Sequence, residues 1–203
     1  AAGVRRFAYL STLCAQAESK IRCLREAAEA EKLLDQTRIS AYVFRAGPLA
    51  GRGDELLTRL AAQAADAKPW LVLWGYGDTL LQPIAPLDVG RCLARACGPG
   101  AAAPRSGVYA IAGEECVSVL ELTDRILRQK GRFKLKIHLP WVFLKVAALL
   151  FDRKGAARTG LTERLRLHAE AFATERNDAP HLLGPHQPLM KLQRIQEEVL
   201  GGA

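Results

Sequence analysis

Methionine occurs once in the 203 residues, tryptophan three times, and Phe, Trp and Tyr together make up 6%. So few aromatics, with no interleaved basic and aromatic residues, leave charge as the only argument for nucleic-acid binding. Cysteine is scarce and odd in number: Cys14, Cys23, Cys92, Cys97 and Cys116 form no CxxC pair and no even disulfide framework. That pattern fits a reducing compartment. Long apolar runs are missing as well. The best span, Ile137–Phe151, is fifteen residues and contains His138 and Lys145, short of the roughly 20 residues a bilayer requires. No signal-peptide pattern opens the chain. No GxGxxG fingerprint occurs anywhere, so the 203 residues contain no Gly-rich phosphate loop at a first helix.

What remains is ordinary for a globular protein: 49% hydrophobic and 25% charged residues, with a net charge of +8. The length suits one large domain, or one and a half. Basic residues are scattered, with the densest stretch at Arg128, Lys130, Arg132, Lys134 and Lys136, which reads as a solvated face.

Periodicity and punctuation predict alternating strands and helices. After a Gly3 stop, Arg6–Ser11 reads as a strand, so the chain opens like the middle of a fold. A helix follows over Ser19–Gln36, rich in Ala, Leu and Glu. Ile39–Phe44 is a β-branched and aromatic strand, and Asp54–Ala65 a helix with Leu56, Leu57, Leu60 and Ala61 on one face. Short strands are expected at Leu71–Trp74 and Leu80–Ala85. Asp88 is read as the cap of a helix to Ala96. Gly107–Ile111 is a strand, and Ser118 and Glu121 have capping-box spacing for a helix to Gln129. Lys134–His138 alternates like an edge strand. Helices are predicted from Pro140 to Phe151, over Thr162–Ala173 and over Leu189–Leu200, with a Pro/His-rich loop before the last. The order implies an α/β parallel sheet. We expect the C-terminal part of a Rossmann-like parallel sheet over residues 1–133, a mostly helical C-terminal lobe over 134–203, and no N-terminal nucleotide-binding half.

Several residues have plain readings. Arg52-Gly-Asp54 spells an adhesion tripeptide by coincidence. His168, His181 and His186 lack metal-ligand spacing. Trp70, Trp74 and Trp141 suit a core or an interface, and the amphipathic stretch Trp141–Phe151 suits core packing slightly better than contact with a partner or a membrane surface.

Three segments carry chemistry by their order. FAYLST ends a strand at Ser11 and Thr12, where ligands bind in open α/β sheets. Ile21-Arg-Cys-Leu-Arg-Glu-Ala-Ala-Glu-Ala-Glu-Lys32 follows on a helix. Phe44-Arg-Ala-Gly-Pro-Leu-Ala-Gly-Arg-Gly-Asp54 then leads a strand into a Gly-rich turn. Together they resemble the second half of the extended, atypical short-chain dehydrogenase/reductases. Gln82-Pro-Ile-Ala-Pro-Leu-Asp-Val89 is similar to that family's strand into an Asp-Val helix start. Ala2-Gly-Val-Arg-Arg-Phe7, Leu150-Phe-Asp152, Gly160-Leu-Thr-Glu-Arg-Leu-Arg-Leu-His168 and Leu183-Gly184 are similar to one branch, accessory subunit 9 of the alpha subcomplex of mitochondrial respiratory complex I.

The family resemblance implies a Tyr acid/base and, four residues on, a Lys that lowers its pKa and holds the ribose. Here the matching positions are Cys23 and Ala27, so the resemblance implies no catalytic residue and no hydride cycle of the usual kind. A dinucleotide, NADP(H) in a structural role, would touch Ser11, Thr12, Cys23 and Pro48 only where an N-terminal half supplies the pyrophosphate site. No metal is implied. The branch resemblance further implies a non-catalytic assembly subunit among other complex I subunits, peripheral on the matrix side of the mitochondrial inner membrane. The alternative is an active NAD(P)-dependent reductase or epimerase. A third, weaker reading is a redox-sensing nucleotide binder with Cys23 as a reactive thiolate.

Overall fold

The computed structural model describes residues 3–98, 104–140, 142–143, 167 and 170–201. The chain divides into two compact units, Ala1–Asp54 with Gln82–Cys116 and Phe172–Ala203, and Glu55–Leu81 with Val117–Ala171. The expected border at 133/134 falls inside the second.

In the first unit, β1 (Arg6–Thr12), β2 (Ser40–Ala46) and β5 (Gly107–Ile111) form a three-stranded parallel sheet in the order β1-β2-β5. Helix α1 (Arg22–Asp35) joins β1 to β2 as the crossover that parallel neighbours require. The register sets Thr12 opposite Ala46, and Ala46 opposite Ile111, so three carboxyl ends lie side by side. Period-2 alternation sorts the side chains. Tyr42, Phe44, Ala46 and Ile111 face a core completed by Val89, Cys92 and Ala96 of α3 (Pro86–Cys97) and by Ala179 and Leu183 of α5 (Ala179–Leu183). Phe44 stacks on Tyr109 with centroids 5.7 Å apart. The other sheet face carries Ser11, Val43 and Arg45, beneath α1.

Asp88 does not cap α3. The N-cap is Ala85, and Pro86 begins the helix, as a residue with fixed φ and no N–H to satisfy does well. Asp88 sits two residues later, fully buried. Its carboxylate accepts from Met190 N at 2.7 Å and from Arg91 at 3.0 Å. The Pro/His-rich stretch contributes the short helix α5, which the sequence reading leaves as loop.

In the second unit, β3 (Trp70–Trp74) and β7 (Leu135–Leu139) pair in parallel, and β4 (Leu80–Leu81) and β6 (Val117–Ser118) pair antiparallel. These four short strands form two separate two-stranded pairs. Helix α2 (Glu55–Ala65) buries Leu57, Leu60, Ala61 and Ala64. Helix α4 (Val119–Gln129) starts at Ser118, whose hydroxyl accepts from Glu121 N at 3.1 Å. Glu121 itself pairs with Arg125 at 2.8 Å. The basic stretch is only partly a solvated face. Lys134 is 5% exposed and donates to the carbonyls of Gln63 and Asp66 at 2.6 and 2.5 Å. It thus serves the orphan carbonyls at the end of α2. Lys136 pairs with Asp124.

Trp70 is 45% exposed, not core, and Trp74 is half-buried. Trp141 and residues 144–151 of the helix expected at 140–151 lie outside the described residues, as does most of 162–173; 142 and 143 are helical. Residues 170–173 within that span are not helical. The terminal helix, α6, is shorter than expected, Leu192–Leu200.

Candidate functional site

The carboxyl ends of β1, β2 and β5 are where an open parallel sheet presents a ligand crevice. Ser11 lies there, 8% exposed. Its hydroxyl donates to Glu31 Oε1 at 2.5 Å. Glu31, on α1, accepts a second, forked contact from Arg45 of β2, with Nη2 to Oε2 at 2.6 Å and Nε to both oxygens at 3.1 Å. The Glu31 hydrogen bond raises the Arg45 pKa above its ordinary value, against desolvation. One carboxylate therefore fixes two neighbouring strand ends and the helix that crosses between them.

Thr12 follows Ser11, half-buried, and its carbonyl accepts from Ala15 N at 3.1 Å. Pro48 stands two residues past β2. Its carbonyl accepts from Ile84 N at 3.0 Å, and Ala50 N returns a bond to Ile84 O at 3.0 Å. The two segments make a parallel bridge between Leu49 and Ile84. Cys23 is exposed in the first turn of α1, and Ala27, partly buried, lies one turn further along. Cys23, Ala27 and Glu31 are four residues apart in turn, so they share one face of the helix. The structure brings Ser11, Thr12 and Pro48 to adjoining strand ends. It turns the Ser11 hydroxyl inward to Glu31.

Sequence reasoning misses the residues that build this end of the sheet. Gln82, 7% exposed, donates through Nε2 to Gly113 O at 2.8 Å and accepts from Thr174 N at 3.1 Å. Glycine is required at the crossing: a Cβ on Gly47 would meet Gln82 O at 2.4 Å, and one on Gly113 would meet Pro83 O at 1.9 Å. Asn177 bridges Ala112 N and O at 3.1 and 2.9 Å and Gly113 O at 3.1 Å. Asp178 pairs with Ala110, accepting from its N at 2.9 Å and donating to its O at 2.7 Å. These two residues occupy the outer edge of β5. The helix spacing of Glu31 from Cys23 is a readable signal; the 65-residue reach from Ala112 to Asn177 is not.

Beyond β5, Glu114, Pro180, His181, Pro185, Gln187 and Leu189 line an open cavity of about 410 Å³. That volume is in the range of small-molecule pockets. No cluster of three or more metal-ligating side chains occurs among the described residues. The thiol of Cys92 is pushed up to about 11 by burial, with the Asp88 charge adding to it, which makes it inert.

No protein-family model matches the chain, and no curated protein matches it in sequence. Its likeness is to solved structures. The UDP-glucuronic acid 4-epimerase of Bacillus cereus, in complex with UDP-glucuronic acid and NAD, superposes with a TM-score of 0.64 at 17% identity, over 97% of this chain and 60% of that one. The Helicobacter pylori ADP-L-glycero-D-manno-heptose-6-epimerase gives a TM-score of 0.64 at 16% identity, over 97% and 59%. The Thermus thermophilus UDP-glucose 4-epimerase complex with NAD gives 0.55 at 14%, over 68% and 52%. This chain thus spans about 60% of the length of the first two. At such identities the likeness is one of architecture. The parallel β1-β2-β5 sheet with its crossover helix, and its superposition on these epimerases, give the chain a Rossmann-like α/β fold.

Proposed function

We propose that this chain is the C-terminal portion of an NAD(P)-binding protein of the short-chain reductase or epimerase type. The observation that carries the reading is the set of aligned carboxyl ends of β1 and β2, with Ser11 and Arg45 locked by Glu31. That is the position at which a Rossmann-like sheet receives its dinucleotide. Neighbours of the same fold that are named as NAD complexes support it. Ser11, Thr12 and Pro48 would line the nicotinamide side of the crevice, and the bound group would supply hydride chemistry. The pyrophosphate loop would come from an N-terminal half.

A second reading is favoured by Cys23 and Ala27. A thiol has neither the reach nor the acidity pattern of a phenol, and a methyl group cannot hold a ribose or stabilise a phenolate. On that ground the dinucleotide would be structural. The finer form of this reading, an accessory subunit of complex I at the matrix face of the mitochondrial inner membrane, rests on the sequence resemblance alone.

Native mass spectrometry of the protein from its source, followed by a turnover assay on nucleotide sugars, tests both. A retained NAD(P) with epimerisation or reduction supports the first reading. A retained NAD(P) without turnover, in a preparation that co-purifies with respiratory subunits, supports the second. No affinity for either dinucleotide in the full-length protein would overturn the proposal.

A further inference from the structure

The outer edge of β1 is a row of unmet backbone groups. Arg5 O accepts from Ser40 N at 3.3 Å, and Leu13 N donates to Ala46 O at 3.1 Å. The odd-numbered residues of the strand therefore turn their N–H and C=O groups toward β2. Those of Arg6, Ala8 and Leu10 turn the other way, and no strand among the described residues takes them up. The edge also lacks the features that blunt an exposed strand: Arg6–Thr12 contains no Pro and no Lys, and its register has no bulge. Phe7 is 42% exposed and Leu10 39%. By strand alternation they lie on opposite faces of the sheet, so apolar surface flanks the row on both sides.

Such a row is satisfied by another extended backbone, and a second copy of β1 fits it. Laid antiparallel about a two-fold axis at Ala8, the two strands set Ala8 opposite its own counterpart and Arg6 opposite Leu10 of the other copy. All three are outward residues, so each pair exchanges both N–H···O=C bonds. Phe7 then faces Tyr9 of the other copy at the closer, non-hydrogen-bonded spacing, where aromatic pairs stabilise a sheet. An axis at Tyr9 would instead set Phe7 opposite Ser11. It would also draw in Thr12, whose carbonyl already accepts from Ala15 N. Charge permits the Ala8 register. The two Arg6 residues lie roughly 13 Å apart along the strands, beyond the screening length of about 8 Å at physiological salt. Arg6 Nη1 is moreover held by Gly98 O at 2.7 Å. The contact is isologous, so it closes at two copies.

We propose that two copies of this chain associate edge to edge through β1, antiparallel about Ala8, joining their sheets into one. This does not rest on the dinucleotide reading, which concerns the ends of the strands and not their edge. The test is residue-resolved amide hydrogen exchange of the full 203-residue chain at low and high protein concentration, beside sedimentation velocity. The amides of Arg6, Ala8 and Leu10 should exchange freely in the dilute monomer. They should slow about tenfold where a tenth of the chain remains monomeric. Those of Phe7, Tyr9 and Ser11, bonded to β2, should be slow throughout. Ala8→Pro removes the N–H at the axis, which serves no bond to β2, and should weaken association about tenfold or more. Phe7→Glu should weaken it comparably. Leu33→Glu, at a residue of α1 that is 65% exposed, should leave it unchanged. Far-UV circular dichroism checks that each variant is folded. A monomer at every concentration overturns the proposal, as does a dimer whose Arg6, Ala8 and Leu10 amides exchange as in the monomer. Protection of those amides that does not change with concentration also overturns it, because another segment of the same chain would then cover the edge.

Discussion

Glu31 ties together three pieces of the first unit from a single side chain, reaching Ser11 on β1 and Arg45 on β2 from helix α1. The carboxylate is almost fully buried, whereas Arg45 is 37% exposed, so solvent screens part of the pair. Replacing it as Glu31→Gln removes the charge but keeps the shape. We expect a loss of ~1–3 kcal/mol, read as a lower urea midpoint at unchanged slope. A midpoint equal to the parent's would show that the three strand-end contacts contribute nothing net. Cys92 gives a pH signature. Its folded-state pKa is about 11 against an ordinary value of 9.0, so the folded chain holds the proton longer than the unfolded one. The stability this represents is complete below pH 9 and is lost as pH rises toward 11. A Cys92→Ala variant should therefore lose less stability than the parent between pH 8 and pH 10.5, as measured by urea unfolding. Parallel pH profiles would contradict the assignment.

At the scale of elements, much was legible. Strands β1, β2, β3 and β5 and helices α1 to α4 fall where hydrophobic period and punctuation put them, within a few residues. The reason is local: a βαβ unit must alternate a period of 2 with one of 3.6, and its turns need Gly and Pro. What escaped reading was set by distant partners. Asp88 carries the signature of a cap, yet Met190, 102 residues away, claims its carboxylate. Asn177 and Asp178 read as loop residues, yet they serve as the outer neighbour of β5. The candidate site divides the same way. Ser11, Thr12 and Pro48 were visible as strand-end residues, while Arg45 was hidden inside a motif noted for its glycines. Asn177→Ala should cost ~2 kcal/mol by stripping three hydrogen bonds from Ala112 and Gly113. In hydrogen exchange the Ala112 amide should lose protection while Ala110, still held by Asp178, keeps more of its own. Equal loss at both amides would mean that the edge segment detaches as one piece.

For the molecule as a whole, the two units carry different kinds of information. The first has the aligned strand ends; the second has most of the net charge. Placing a Tyr and a Lys in the first does not create a phosphate loop, which in Rossmann-like sheets is a property of a glycine-rich turn and a helix N-terminus. The double variant Cys23→Tyr and Ala27→Lys, expressed as this chain, is therefore expected to show no nucleotide-dependent reduction above the parent. Measurable oxidation of NADH or NADPH by that variant would count against the requirement. An open edge of β1, which has no strand partner on its outer side among the described residues, is a pairing hazard in isolation.

The buried amine of Lys134 turns the second unit into its own clock. Its hydrogens are committed to the last carbonyls of a helix about seventy residues upstream, so an acylating reagent cannot reach the nitrogen while that helix end stays docked. Under mild acetic anhydride treatment, exposed Lys20 and Lys191 should be modified first. The slow appearance of label at Lys134 should then follow the rate at which this unit opens, residue by residue, in a tryptic map.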